Sequence, residues 1–374
     1  MVNDYGKEIK KLGFGMMRLP HRGLLTDVEQ TKQMVDLFME AGCTYFDTAF
    51  VYPGSEEATR KALIDRYPRE AYTLATKLYA PSAPTEKAAK AQFQTSLKRT
   101  NAGYFDYYLL HSLMDSNYTK YERFHLWDFV EEQKRKGLIR HYGFSFHSGP
   151  ELLDRILTDH PEAEFVQLQI NYADWENPSV TYRANYEVAR KHGKPIVVME
   201  PVKGGNLANP PREVRELFRK ANPNASPASW AIRFAASLDG ILTILSGMSN
   251  LEQMRDNLSF MREFVPLSVE EQKVIHEAQR LMGRSNTIPC TTCHYCTKGC
   301  PKQIPIPEIF TAMNQRLGSG QLAESVERYR DAVQNGSPAS ACIACRQCEK
   351  ACPQHIPIVS KLKECAAALE GGRR

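Results

Sequence analysis

The chain has 374 residues, 42% apolar, 10% aromatic and 24% charged, with a formal net charge of +5. That is about twice a usual domain; the composition excludes wholesale disorder, and the charge is too mild to suggest nucleic-acid binding. No apolar run approaches the ~18 residues a membrane span needs, and the first residues, Met1 to Lys7, form no apolar signal region, so a cytoplasmic protein with no membrane partner is expected.

Along residues 1–284, short β-like runs alternate with helical stretches. The expected strands are Leu12–Leu19, Tyr45–Phe50, Tyr72–Leu78, Phe105–His111, His141–Phe146, Phe165–Tyr172, Pro195–Pro201 and Gly240–Gly247. Several are nearly continuous apolar runs, as in parallel strands buried on both faces. Between them, Thr26-Asp-Val-Glu29, Ser148-Gly-Pro-Glu151 and Ser268-Val-Glu-Glu271 read as capping boxes that open helices. Ser55 and Thr85 read as N-caps, and Gly42, Gly137 and Gly193 as helix stops. Eight such units in about 260 residues fit an α/β fold of the (β/α)8 barrel type. A doubly wound open sheet is the alternative, weakened because no Gly-x-Gly-x-x-Gly opens the first helix.

Near residue 285 the texture changes. Cysteine and proline become frequent, β-like runs vanish, and residues 285–374 carry 11 Lys and Arg against 7 Asp and Glu. Of ten cysteines, only Cys43 precedes this stretch. The run Cys290-x2-Cys293-x2-Cys296-x3-Cys300-Pro recurs 52 residues on as Cys342-x2-Cys345-x2-Cys348-x3-Cys352-Pro, and each copy continues into Ile-Pro-Ile. Two helices, Glu308–Leu317 and Leu322–Gln334, are expected between the copies, broken by Gly318 and Gly320. Structural zinc prefers two separated Cys-x2-Cys halves, whereas this spacing is that of bacterial [4Fe–4S] ferredoxins, in which the fourth cysteine reaches the other cluster. Crossed ligation assigns one cluster to Cys290, Cys293, Cys296 and Cys352, and the second to Cys342, Cys345, Cys348 and Cys300. The long linker resembles all-helical dicluster ferredoxin domains, so the expected layout is a barrel over 1–284 and a small, mainly α-helical dicluster domain over 285–374. Cys43 and Cys365 read as ordinary thiols, and His294 and His355 as solvated loop residues.

In a (β/α)8 barrel, chemistry gathers at the C-terminal strand ends. There this sequence places Asp47, Tyr52, Lys77 and His111. A nearby ammonium would lower a tyrosine pKa, an Asp would hold that Lys, and a His would polarise a carbonyl. Together they would protonate an oxyanion as hydride reaches its carbon.

These residues belong to a longer set: Gly13-Phe-Gly-Met-Met-Arg-Leu19, Phe46-Asp-Thr-Ala-x2-Tyr52, Lys77, Leu110-His-Ser112, Gly143-Phe-Ser145, Gln169-x-Asn-Tyr172, Glu200-Pro-Val-x-Gly-Gly205, Ser246-Gly247 and Asp256-Asn257. On them, residues 10–262 resemble the aldo-keto reductase superfamily. The resemblance implies Tyr52 as acid, Lys77 and Asp47 as its tuners and His111 as the orienting group. It implies that Ser145 and Gln169 bind the nicotinamide amide of NAD(P)H. The loops carrying Glu200, Val202, Gly204, Gly205 and Leu207, and Ser246, Gly247, Gln253 and Asn257, would hold the pyrophosphate and adenosine ends. Arg18 would meet a phosphate or a substrate carboxylate, or form a plain salt bridge.

The chain departs from the family pattern at Phe146, where Asn is usual, and at Met199, where an aromatic stacks on the nicotinamide. Gly247 and Gln253 replace basic residues that grip a 2′-phosphate, with Arg255 nearby, so NAD against NADP stays open. Nicotinamide moves a hydride and a cluster a single electron; FMN, which trades one for the other, would fit at the phosphate-binding last loops. The reading is an oxidoreductase acting on a small-molecule carbonyl or alcohol, with clusters serving a redox protein partner. The rivals are a flavin-linked reductase of another substrate, an electron-transfer module with the barrel as scaffold, and a zinc-stabilised interaction domain.

Overall fold

The computed structural model describes residues 9–23, 25–283, 287–319 and 322–371. Eight parallel strands close into a barrel: β1 (Leu12–Gly15), β2 (Tyr45–Asp47), β3 (Thr73–Leu78), β4 (Phe105–Leu113), β5 (Ile139–Phe146), β6 (Phe165–Gln169), β7 (Ile196–Met199) and β8 (Ile241–Ser246). Each expected run supplies one strand. Leu12 pairs with Ile244, so β8 closes onto β1 and the open sheet is excluded. Strands β3 and β4 are buried throughout, because helices cover their outer face and side chains fill the inner one. Tyr45, Tyr107, Phe165, Val197 and Leu242, from the first halves of their strands, pack together in the interior. The Tyr107 and Phe165 ring centres are 5.0 Å apart, and burying such a ring stabilises by roughly 1.5–3 kcal/mol. Filling the barrel there leaves the C-terminal strand ends for chemistry.

Five of the strands stop earlier than their apolar runs, whereas β3 and β5 end where expected and β4 runs on to Leu113. After β1, Met16–Arg18 turns into a 3-10 helix, and β2 ends at Asp47 although Thr48 N still donates to Ala75 O at 2.9 Å. Several helix starts also differ. A short hairpin, His21–Arg22 with Leu25–Thr26, takes Thr26 out of the capping position. Asp27 caps instead, its Oδ1 accepting from Gln30 N at 3.1 Å, and helix Val28–Glu40 follows. Ser148 Oγ accepts from Asp115 N at 2.9 Å rather than capping, and helix Pro150–Asp159 starts after Gly149 on its proline. Ser55 lies inside its helix and donates to Met16 O at 2.8 Å. Thr85 caps Glu86–Thr100, and Ser268 with Glu271 forms the full capping box of Val269–Met282.

After the barrel come helices Ile306–Ser319, Leu322–Val333, Gln347–Lys350 and Ile358–Leu369. The boundary expected near residue 285 and the break at Gly320 lie outside the described residues. Ile304, Ile309, Phe310, Ile358 and Leu362 form a separate apolar core here, packed directly against Cys296, Cys348 and Cys352. Among the described residues no helix is long and apolar enough to cross a membrane.

Candidate active site and cysteine centres

Lys77 and Asp47, on neighbouring strands β3 and β2, meet as a buried ion pair between Nζ and Oδ1, with side chains 1% and 4% exposed. Lys77 Nζ also donates to Thr48 O at 2.7 Å. Burial pushes the Lys77 pKa down and the Asp47 pKa up, and each partner opposes the other's shift. Tyr52 follows β2, its ring centre 5.2 Å from Lys77 Nζ and 5.7 Å from the His111 ring.

The sequence reading has the ammonium lowering the Tyr52 pKa; the structure places it far above the ordinary tyrosine value. Burial is the main cause, and the hydroxyl of Tyr295 and the charge of Asp47 add to it. Lys77 is committed to Asp47 and Thr48, so Tyr52 holds its proton. His111 is driven well below the ordinary histidine value by burial, then by Lys77. It is therefore a neutral imidazole, and its Nδ1 has no hydrogen-bond partner. Tyr121 OH donates to His111 O and fixes the end of β4.

These four side chains line a cavity of about 570 Å³ at the C-terminal strand ends, within the range usual for small-molecule sites. Arg18, Gln169, Glu200, Val202, Gly204, Gly205, Ser246, Gly247, Gln253 and Asn257 line it too. Two expected residues do not. Ser145, at the end of β5, turns its Oγ to Ser112 N at 2.7 Å. Leu207 is wholly buried against Tyr172, Val214, Phe218 and Trp230, where an apolar side chain belongs. Gln169 reaches the cavity but its Oε1 lies 3.0 Å from His147 Nδ1. His147 is neutral, its pKa pushed down to about 4 by burial. Besides His111 Nδ1, polar atoms of wall residues without partners are Asp47 Oδ2, Glu200 Oε2, Asn257 Oδ1 and Gln167 Oε1.

The cysteines fall into two groups. Cys290, Cys293, Cys296 and Cys352 line one small cavity with Phe310 and Ile356; Cys300, Cys342, Cys345 and Cys348 line another with Ile304 and Leu362. Among the described residues, no three His, Cys, Asp or Glu side chains converge tightly enough to hold a single ion. Each set of thiols rings a gap rather than a point. Burial lifts the Cys290 and Cys293 thiols to about 12 and about 11, so their thiolates need a bound cation to persist. Cys43 and Cys365 lie buried elsewhere.

What sequence reasoning missed is that the two regions share one site. Cys293, Tyr295 and Pro353 line the barrel cavity. Arg18 donates to Thr291 O at 2.6 Å and to Thr292 Oγ1 at 3.3 Å, finding main chain and hydroxyl partners instead of a carboxylate. Gly204, at φ +65°, lies so close to Thr291 that a Cβ would sit 2.5 Å from its carbonyl oxygen. Asn206 Nδ2 donates to Cys290 O at 3.2 Å, and Tyr182 OH to Gln354 Oε1 at 3.2 Å. The one signal in the sequence was Tyr295, an aromatic residue set between Cys293 and Cys296.

The model of the "Aldo/keto reductase family" matches residues 11–280, and that of the "4Fe-4S dicluster domain" matches residues 289–356. An aldo-keto reductase of Mycobacterium avium is 26% identical over 284 residues, covering 75% of this chain and 91% of that protein. Among solved structures, the aldo-keto reductase AKR11C1 from Bacillus halodurans in its holo form superposes with a TM-score of 0.58 at 24% identity, covering 73% of this chain and 93% of that one. An aldo/keto reductase from Klebsiella pneumoniae, in complex with NADP and acetate, gives 0.59 at 20%, covering 73% and 92%. The chain therefore belongs to the aldo/keto reductase family, an oxidoreductase with a 4Fe-4S dicluster domain C-terminal to its barrel.

Proposed function

We propose that the protein interconverts a small carbonyl compound and its alcohol with NAD(P)H, and carries two [4Fe–4S] clusters that exchange electrons with a redox protein partner. The observation that carries the first half is the convergence of Tyr52, Lys77, Asp47 and His111 on one cavity. A nicotinamide, when bound, would supply the hydride for the carbonyl carbon. Tyr52, kept protonated by burial, gives its proton to the oxygen. His111, neutral and beside Tyr52, orients and polarises that oxygen. As the Tyr52 phenolate forms, the Lys77 ammonium 5.2 Å from its ring limits the cost of the new buried charge. Asp47 keeps Lys77 charged and in place. Asn257 Oδ1 and the open side of Gly205 at φ +100° suit the polar body of a dinucleotide.

For the clusters, Cys290, Cys293, Cys296 and Cys352 would hold one and Cys300, Cys342, Cys345 and Cys348 the other. Ringed gaps walled by apolar residues fit a four-iron cubane better than a single zinc. Clusters supply single-electron transfer when bound. The second group is the outer one: Cys345 is exposed and Ile343 beside it is 57% exposed, which suits docking of an electron partner. The boundary between the two domains is proposed near residue 285.

One observation favours a second reading. Cys293, a ligand of the first group, lines the barrel cavity itself. An occupant able to accept single electrons, such as FMN, would profit from that contact, whereas a nicotinamide would not. Iron, sulfide and released-flavin assays on anaerobically purified protein separate the two readings. Tyr52→Phe tests the chemistry: carbonyl turnover falls about 10²–10⁴-fold, while the visible spectrum of the clusters stays unchanged. Turnover within twofold of the parent removes Tyr52 as the acid.

A further inference from the structure

Tyr295 lies between Cys293 and Cys296, yet its side chain enters the barrel. Its hydroxyl is 3.5 Å from His111 Nε2, and its ring centre is 6.5 Å from that of His111. The same hydroxyl lies near enough to that of Tyr52 to help raise the Tyr52 pKa, and both side chains line the cavity. Tyr52 and His111 are the two groups that, in the chemistry proposed above, grip the oxygen of the substrate. The phenol oxygen of Tyr295 thus stands in the part of the cavity that oxygen would enter, beside the same two groups.

We propose that Tyr295 is a gate: it fills the substrate-oxygen seat, a carbonyl compound binds by displacing it, and occupation of the barrel therefore moves the loop that carries Cys293 and Cys296. The inference rests on the proposed aldo-keto chemistry and goes beyond it. Two features of the loop support a hinged displacement. Its base is anchored, since Arg18 holds Thr291 O and Thr292 Oγ1 while Gly204 packs against the Thr291 main chain. Its tip is held loosely, because a 3.5 Å contact to His111 is long for a hydroxyl hydrogen bond. The gate also makes the site selective: an incoming oxygen must accept from Tyr52 more strongly than a phenol oxygen does, as a carbonyl next to an electron-releasing group or a carboxylate does.

Acetate is the probe, since a related reductase holds it together with NADP. Full-length, cluster-loaded protein is titrated with acetate in the presence of NADP+ by calorimetry, as parent, Tyr295→Phe and Tyr295→Ala, with iron content as the folding control. Removing a plug that is closed most of the time tightens acetate binding about fivefold or more in Tyr295→Ala, with Tyr295→Phe between it and the parent. In the parent, acetate also shifts the electron paramagnetic resonance signal of the reduced clusters; in Tyr295→Ala that shift is lost. Equal or weaker acetate binding in both variants overturns the gate. If NADP+ still binds in that case, the gate alone falls. If neither NADP+ nor acetate binds to any of the three proteins, the aldo-keto reading falls with it.

Discussion

Lys77→Met isolates the buried ion pair from everything else in the site. The change keeps the apolar stem and removes Nζ, which leaves Asp47, 4% exposed, with neither carboxylate oxygen partnered, because Oδ2 has no partner already. Breaking a buried pair by deleting one member costs about 3–5 kcal/mol. At about 2–4 °C per kcal/mol for a domain of this size, Tm near pH 8 falls by roughly 6–20 °C. The pH dependence has a definite sign. Burial already holds the Asp47 pKa above its ordinary value, and Lys77 is the chief force opposing that shift. Without Lys77 the folded-state pKa climbs further, while the unfolded value stays near ~3.9. A carboxyl with a raised folded pKa loses stability as pH rises through the window between the two values. The deficit is therefore smallest below about pH 3, where the carboxyl is protonated in both states, and grows toward neutrality. Asp47→Asn in the same chain removes the stranded charge and recovers most of the loss. Anaerobic calorimetry at matched scan rate, at acidic and mildly alkaline pH, measures all of this. A Tm drop under about 3 °C, an equal drop at both pH values, or no recovery in the double variant would refute the argument.

Two further outcomes test how the regions are joined. In the crossed arrangement, Cys290→Ala and Cys352→Ala abolish the same cluster signal, and Cys300→Ala removes the other; a Cys352→Ala protein that instead loses the signal shared with Cys345→Ala would show ligation within each repeat. Gly204→Ala places a Cβ 2.5 Å from Thr291 O at φ +65°, a strain of about 1–3 kcal/mol. Hydrogen exchange at residues 291–295 should rise at least fivefold while β3 and β4 stay protected; no change there means the loop does not depend on that close approach.

The barrel was legible because eight apolar runs are what parallel strands buried on both faces require, and each one became a strand. Helix starts were less legible. Thr26 and Asp27 both have capping side chains, and the choice fell to Asp27 because a two-residue hairpin claims Thr26. The spacing of the cysteines anticipated which ones share a gap: three with two residues between neighbours line one cavity together, and the cysteine before proline turns to the cavity of the other repeat. The pKa of Tyr52 was not readable: its partner Lys77 is visible in the sequence, but the burial that outweighs a charge already committed to Asp47 is a property of the packed chain. Leu207 shows the same limit, because a loop motif does not say which of its side chains turns inward.

The contacts between the regions explain why residues of the barrel mouth look only partly like a nucleotide site. Gly204 was expected in a dinucleotide-binding loop, and Arg18 at a phosphate, a substrate carboxylate or a salt bridge; both are occupied with the main chain of Thr291. A guanidinium that donates to a carbonyl, and a glycine that admits a backbone, are the tools by which one chain segment is brought close to another without a large apolar interface. The outcome is that Cys293 and Tyr295 form part of the cavity wall. A tethered electron carrier would need no such approach, since it could dock anywhere within reach of its linker. A domain whose cysteine loop forms part of the cavity wall has a different relation to the barrel: an occupant of the cavity beside Tyr52 meets Cys293 and Tyr295. With a cluster held by that group as proposed, its redox state and the occupation of the barrel would be linked quantities, each shifting the other by the same free energy.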